Sequence, residues 1–253
     1  MRFLVTIVLF LIVAPATTTA QTVGSLEIAG RVKIGAANER LKRKRFYLFR
    51  GGLTANRALV DKLKSAPPVP TRDCFYCTMK ASPEYVAWLK AEDCESPYCR
   101  AISADDVAKV PEFKSAYTAG LQKFRNKPDL AREWLTTNMP SALRDGYYLR
   151  RKSLTDTLLA GVKPLQTAMT DSVTVVAPFI DIPLDSAAGE TFMVTNVVPF
   201  EVSGKTYLWA CEIAVNDKKK AKLSLNLNAA GKPAAKCEVV IRDAPACTAG
   251  SCG

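Results

Sequence analysis

The stretch TFMVTNVVPFEVSGKTYLWACEIAV, residues 191–215, holds two runs of aromatic and β-branched residues on either side of Ser203-Gly204. Runs of this composition are typical of β-strands, and a short glycine-containing break between them is typical of a hairpin turn. Similar runs lie nearby, namely SVTVVAPFI (172–180), AKLSLNLN (221–228) and AKCEVVIRD (235–243). The C-terminal third of the chain is therefore predicted to contain five strands.

Two more strands are predicted near the N-terminus, over SLEIAGRVKI (25–34) and KRFYLF (44–49), joined by the turn GAANERLKR. A two-stranded hairpin is marginal alone, so these strands are expected to join the sheet of the other five. Between the two groups the apolar residues keep a helical period, for example Leu59, Val60 and Leu63.

The helical segment also contains start signals. Thr54, Ser82 and Ser103 are predicted to cap helices, and Pro83 suits the first position of a helix that buries Tyr85, Trp88 and Leu89. Aromatic residues at helical spacing, as from Phe113 to Phe124, are predicted to form a core and not a ligand platform.

These patterns predict an α+β fold, a seven-stranded antiparallel β-sandwich with a disulfide-bonded helical insertion between the second and third strands. Residues 21–52 and 170–253 would form the sandwich, and residues 53–169 the Cys-rich insertion. A separate helical domain is the alternative that the pattern leaves open.

Residues 1–20 are predicted to be a secretory signal peptide that is cleaved after Ala20. Arg2 precedes the apolar run FLVTIVLFLIVA, which is followed by Pro15 and TTTA. The run is shorter than the roughly 20 apolar residues of a transmembrane helix, and no later segment approaches that length. The mature chain is expected to be secreted or periplasmic, without a transmembrane segment.

Histidine is absent, and the net charge is +11, or +10 once the signal peptide and its arginine are removed. The lack of histidine excludes Ser-His-Asp and Cys-His catalysis and every zinc site with an imidazole ligand. A basic chain favours anionic partners, which here could be anionic polysaccharide, lipid headgroups or another cell-surface protein. No nucleic-acid-binding motif is found, and no cofactor is predicted.

Residues 30–51, GRVKIGAANERLKRKRFYLFRG, combine a glycine-led strand, a short linker and a second strand that closes in FYLFRG. This segment resembles the first hairpin of carboxypeptidase-regulatory-like, transthyretin-type β-sandwich domains. Those domains are usually non-catalytic modules, so the resemblance implies a role in binding or structure.

The cysteines have several possible uses. CxxC followed by CxxxxC fits a zinc ribbon in spacing, and Cys74 with Cys77 has the form of a redox pair. Export and an even cysteine count favour disulfides instead. The candidates are Cys74, Cys77, Cys94, Cys99, Cys211, Cys237, Cys247 and Cys252.

The disulfide pairing stays open in the sequence, because four cysteines allow three connectivities. Bridges Cys77–Cys94 and Cys74–Cys99 would nest around the helix of Trp88. Cys211 and Cys237 suit a bridge between strands or sheets, and Cys247 with Cys252 could close the tail, with other pairings among these four also possible.

Two further motifs invite a catalytic interpretation. Ser203-Gly204-Lys205-Thr206 resembles the end of a phosphate loop, but Pro199 stands at the first glycine position and a strand follows, so a hairpin turn is predicted. Paired carboxylates can hydrolyse substrates without histidine. The acids that could supply a pair are Glu92, Asp93, Glu95, Asp105, Asp106, Asp181, Asp185 and Glu190.

Basic clusters are the strongest candidates for function. The anion-binding candidates are Lys42, Arg43, Lys44, Arg45, Arg150, Arg151 and Lys152, and a third cluster holds Lys218, Lys219, Lys220 and Lys222. The first hypothesis is a secreted or periplasmic non-enzymatic module that contacts an anionic or cell-surface partner through its basic loops. The alternatives are a histidine-free carboxylate hydrolase and a thiol oxidoreductase at Cys74 and Cys77.

Overall fold

The computed structural model describes residues 22–185 and 189–247 of the 253-residue chain. This described part is α+β, with eleven β-strands, eight α-helices and two short 3₁₀-helices. The predicted fold class is therefore confirmed at that level. The predicted signal peptide and Cys252 lie outside the described residues.

The strands form two groups in the sequence, one before and one after the helices. They are β1 (Val23–Ala29), β2 (Arg31–Ile34), β3 (Ala37–Arg40), β4 (Arg45–Arg50), β5 (Gln166–Met169), β6 (Val176–Pro183), β7 (Glu190–Thr195), β8 (Phe200–Val202), β9 (Lys205–Val215), β10 (Ala221–Ser224) and β11 (Cys237–Asp243).

All α-helices of the described part lie between β4 and β5. They are α1 (Arg57–Ser65), α2 (Arg72–Thr78), α3 (Pro83–Ala91), α4 (Ala104–Lys109), α5 (Pro111–Lys123), α6 (Pro128–Glu133), α7 (Ser141–Arg144) and α8 (Gly146–Leu158). The 3₁₀-helices span Pro97–Cys99 and Thr136–Asn138.

The strands pair into three sheets among the described residues. A six-stranded sheet has the order β11-β9-β7-β4-β5, with β8 also paired to β9. A three-stranded sheet has the order β10-β1-β6, and β2 pairs with β3 alone. The predicted count of seven strands is wrong, and so is the purely antiparallel arrangement, because β1 and β10 are parallel.

Close contacts split two of the predicted strands. A Cβ atom on Gly30 would lie 2.4 Å from the carbonyl oxygen of Val175, which accepts a hydrogen bond from the Gly30 N–H. Only glycine fits at this position. Strand β1 ends just before Gly30, and β2 begins just after it and forms a separate hairpin with β3. In residues 191–202 the buried Asn196 bonds to the backbone of Val198 and Trp209, and this polar turn separates β7 from β8.

One hydrophobic cluster joins the six-stranded and three-stranded sheets. It contains Leu26 and Ile28 of β1, Phe46 of β4, Phe179 of β6 and Trp209 of β9, all of which are fully buried or nearly so. Because β1 and β6 belong to the smaller sheet and β4 and β9 to the larger, the two sheets bury apolar faces against each other.

The other face of the six-stranded sheet packs against α1. Phe49 of β4 and Met193 of β7 lie in a second cluster with Leu59, Val60 and Leu63 of that helix. The shared helix face predicted for these three residues is confirmed. The N-cap of α1 is Asn56, however, and not the predicted Thr54.

The helices have an aromatic core of their own. Tyr76, Tyr85, Trp88, Phe113 and Tyr147 are buried together, with edge-to-face contacts such as Trp88–Phe113, whose ring centroids are 4.9 Å apart. Such contacts add to the stabilisation from apolar burial. Burial raises the pKa of the Tyr85 phenol well above its ordinary value, so this hydroxyl stays neutral.

Two of the predicted helix N-caps, Ser82 and Ser103, are confirmed. Ser82 caps α3 by accepting from the Tyr85 N–H, and Ser103 forms a capping box with Asp106 at α4. Helix α2 was not predicted. It begins at Arg72, where Thr71 accepts from the Cys74 N–H, so the CxxC motif lies within a helix and not before one.

The disulfides correct the nested pairing. Cys74 bonds to Cys247, Cys94 to Cys99, and Cys211 to Cys237. The bridges Cys77–Cys94 and Cys74–Cys99 are therefore absent, and Cys247 does not close the tail with Cys252. The pairing depends on the tertiary fold, in which the chain after β11 returns to α2. Sequence spacing does not show this return.

The three described disulfides join different segments of the fold. Cys211 and Cys237 face each other across β9 and β11, as predicted for a bridge between strands. Cys94 and Cys99 close a short loop after α3. Cys77 is also disulfide-bonded, and no described cysteine is free.

Candidate basic groove

Residues 43–45 of one basic cluster and residues 151–152 of the other meet in space, although the helical segment separates them in sequence. They line a shallow depression of about 40 Å³ that we call the basic groove. Its walls contain five cationic side chains and one carboxylate, so the groove is strongly positive. The lining residues are Arg43, Lys44, Arg45, Tyr47, Glu95, Tyr148, Arg151, Lys152, Thr155, Met169, Asn196 and Val198.

Thr170 holds the first cluster in position. Its side chain is fully buried, and its hydroxyl accepts a hydrogen bond from the Lys44 N–H at 2.8 Å. The Thr170 carbonyl accepts from the Arg43 N–H at 3.0 Å, and its own N–H donates to the Lys44 carbonyl at 2.9 Å. The loop that carries residues 43–45 is thus fixed by the backbone.

The second cluster lies on α8, and its central residue points inward. The Arg151 side chain is only 16% exposed and contacts Glu95 at 2.8 Å. It also donates to the Pro199 carbonyl at 3.0 Å and lies over the Tyr147 ring. Burial lowers the pKa of Arg151, but Glu95 and Tyr147 outweigh burial and leave the pKa raised.

Several of the predicted anion-binding cations already have partners within the protein. Lys42 pairs with Glu92 at 3.2 Å, Lys44 pairs with Asp93, and Arg43 Nε donates to the Glu92 carbonyl at 3.2 Å. These contacts join the loop to the end of α3. Lys42 and Lys44 are thereby structural, and Lys42 lies outside the groove.

The remaining cations form the open face of the groove. Arg45 is exposed, has no ion pair among the described residues and places its guanidinium 6.0 Å from the centre of the Tyr148 ring. The Lys152 side chain is 53% exposed, and its one ion pair within the described part of the chain is with Asp156, one helical turn away. Arg150 is exposed beside the groove but does not line it.

A larger cleft of about 320 Å³ adjoins the groove and shares Lys44, Glu95 and Arg151 with it. The cleft lies between β8 and helices α2 and α3. Its walls contain six cations and five carboxylates, so the net charge there is small. Burial raises the pKa of Glu201 in this cleft, and the charge of Asp73 raises it further.

The acids considered for catalysis mostly have structural partners. Asp185 and Glu190 come together on Arg50, at 2.6 and 2.5 Å. Asp105 pairs with Lys109, and Asp106 belongs to the capping box of α4. Glu92, Asp93 and Glu95 bind Lys42, Lys44 and Arg151. These contacts give seven of the eight acids a partner within the protein.

The CxxC motif does not form an internal disulfide, because Cys74 is bonded to Cys247. Among residues 22–185 and 189–247, no group of histidine, cysteine or acidic residues is arranged to hold a metal ion. No helix in this same part of the chain is long and apolar enough to cross a membrane.

No protein-family model, curated protein or solved structure matches this chain. Function is therefore inferred from the side chains of the groove and the cleft. The sequence pointed to five of the groove residues, namely Arg43, Lys44, Arg45, Arg151 and Lys152. It gave no signal for Thr170, Asn196 or Met169, whose positions depend on strand pairing.

Proposed function

We propose that this protein is a secreted or periplasmic, non-enzymatic binding module that holds anionic groups of a cell-surface polymer or membrane in the basic groove. The meeting of residues 43–45 with residues 151–152 is the observation that supports this proposal. The disulfides suit an oxidising compartment. We further interpret the fold as a β-sandwich with a helical insertion between β4 and β5.

The groove has the donors that anionic oxygens require. Arg43 and Arg45 each carry a planar guanidinium, which binds carboxylate, phosphate or sulfate through two parallel hydrogen bonds. Lys152 adds a point charge on the opposite wall. The Tyr148 ring lies near the Arg45 guanidinium, at a distance that allows a cation–π contact.

The backbone around the groove is strained. Arg43, Asp93 and Val197 all adopt positive φ angles, of 54°, 56° and 54°. Such angles are costly for residues other than glycine and are common at ligand-binding sites, where the surrounding structure enforces them. Val197 lies between the groove residues Asn196 and Val198. The strain supports a binding role for this part of the surface.

The two enzymatic alternatives stay predictions. Glu201 has the raised pKa that suits a general acid, but its neighbour Asp73 is held by Arg72. Cys74 is engaged with Cys247 and therefore not available as one half of a Cys74–Cys77 pair. Neither observation favours chemistry as strongly as the convergence of cations favours anion binding.

The proposal is tested by removing three groove charges together, in the variant Arg43→Gln/Arg45→Gln/Lys152→Gln. At about 1 kcal/mol for each charge near an anionic surface, binding should weaken about a hundredfold. The probes are heparin and phosphatidylglycerol vesicles, which separate a polysaccharide source of the anion from a lipid source. Binding of the unmodified protein should also fall steeply with added salt.

A matched control is Lys218→Gln/Lys219→Gln/Lys222→Gln, which removes the same charge from the loop between β9 and β10 and from the start of β10. These lysines are exposed and have no ion pairs among the described residues. The control should bind both probes within about threefold of the unmodified protein, since it leaves the groove intact. Equal losses in the two variants, or no binding of either probe, would show that the groove is not the site.

A further inference from the structure

A second groove lies on the other side of the disulfide loop that carries Glu95. It is open, with a volume of about 570 Å³, and we call it the Tyr98 groove. Pro97, Tyr98 and Arg100 form one wall, and Asp129, Arg132 and Glu133 of α6 form the other. None of these residues lines the basic groove, so the two grooves are separate sites.

Tyr98 presents an aromatic ring on a stiff support. Its residue is 55% exposed, and its ring makes no contact with another aromatic ring of the described chain. It lies in the 3₁₀-helix Pro97–Cys99, where Pro97 is buried and Cys99 is bonded to Cys94. An aromatic side chain held in this way offers contact area at a small cost in conformational entropy.

The opposite wall supplies polar groups without partners of their own. Asp129, Arg132 and Glu133 are exposed and have no ion pair or side-chain hydrogen bond among the described residues. The two carboxylates accept hydrogen bonds, whereas the guanidinium donates them. These side chains therefore offer both kinds of hydrogen bond within one groove.

Arg100 adds a fixed cation at the border. Its guanidinium lies 4.0 Å from the centre of the Trp88 ring, and its nearest carboxylate oxygen, on Asp106, is 4.0 Å away. Its Nε atom is buried and has no hydrogen-bond partner among the described residues. Arg100 is thus positioned by stacking on Trp88 and contributes its positive charge at the border of the groove.

The combination favours one class of ligand. Two acids and two arginines leave no net charge, so the groove does not select a polyanion or an anionic membrane. A sugar ring has apolar C–H faces that stack on an aromatic ring and neighbouring hydroxyl groups that both donate and accept. We propose that the Tyr98 groove binds a neutral saccharide, which stacks on Tyr98 and bonds through its hydroxyl groups to Asp129, Arg132 and Glu133.

The proposal is tested by titrating the ¹⁵N-labelled protein with chitotetraose and with cellotetraose, with amide shifts as the readout. At least one of the two should shift amides at residues 97–102 and 129–136, with an affinity that salt hardly changes. Tyr98→Ala should weaken binding at least about tenfold, the order of effect of removing an aromatic contact. Tyr98→Phe should bind almost as tightly, because stacking needs the ring and not the hydroxyl.

Trp134→Ala is the matched control. Trp134 is 47% exposed and follows α6, but it does not line the groove. Its replacement should leave the affinity unchanged. The proposal fails if neither oligosaccharide shifts these amides, or if Tyr98→Ala binds as well as the unmodified protein. Because the probes are uncharged, this outcome is distinguishable from any result for the basic groove.

Discussion

Replacing Cys74, Cys77 and Cys247 together by alanine is expected to lower the free energy of unfolding by at least about 5 kcal/mol in the chain-entropy description of disulfides. Cys77 is included because it is also disulfide-bonded and lies in the same helix, α2, as Cys74. Cys74 and Cys247 are separated by 173 positions, so their bridge removes many conformations from the unfolded chain. It also joins α2 to the chain after β11. Urea denaturation of the variant and the unmodified protein measures the difference.

The Cys94→Ala/Cys99→Ala variant is the internal control. Its bridge spans only five positions, so the same description gives about 2 kcal/mol. The order of the two losses is the decisive result. A larger loss for the short loop than for the long one would mean that unfolded-state entropy is not what the Cys74–Cys247 bridge contributes.

Replacing Arg151 by methionine is expected to lower the free energy of unfolding by about 3 kcal/mol, the lower end of the range for breaking a buried ion pair. The lower end applies because Glu95 is 35% exposed. Methionine keeps much of the apolar stem but loses the contacts to Glu95 and to the Pro199 carbonyl. Those contacts join α8 to the disulfide loop and to the turn before β8.

Arg150→Met tests whether the effect belongs to the buried position. Arg150 is the neighbouring residue, carries the same charge and is exposed. Its replacement should change the free energy of unfolding by no more than about 0.5 kcal/mol. Similar values for the two variants in urea denaturation would contradict the structural role assigned to Arg151.

Local features of the fold could be predicted from the sequence. Strand β9 has the bounds that the run KTYLWACEIAV indicated, and Ser82 and Ser103 cap the helices they were expected to cap. These elements depend on periodicity and on hydrogen bonds within a few residues. The same holds for the buried face of α1.

Features that depend on distant contacts were missed. Gly30 ends β1 because the Val175 carbonyl approaches it, and no pattern within SLEIAGRVKI shows that approach. The Cys74–Cys247 bridge and the parallel pairing of β1 with β10 have the same origin. Each brings together segments that are far apart in the chain, whereas sequence spacing informs only on near neighbours.

In the candidate site, too, local features could be predicted from the sequence and contacts between distant segments could not. The residue types of both basic clusters were evident, but their meeting across the helical segment was not. Lys42 and Lys44 form ion pairs with Glu92 and Asp93, whereas Arg45 has no ion pair among the described residues. The sequence could not predict this difference. Ion pairing with distant acids decides which cations can bind a ligand.

A double-mutant cycle on Arg45 and Lys152, with pyrophosphate as a small anionic probe, tests most directly whether the two clusters form one site. Arg45→Gln and Lys152→Gln should each weaken binding, and the losses should be coupled by about 1 kcal/mol, as for residues that share one partner. Additive losses would place the two residues at separate sites. Unchanged affinity in both single variants, or no binding of pyrophosphate at low salt, would contradict an anion site in the basic groove.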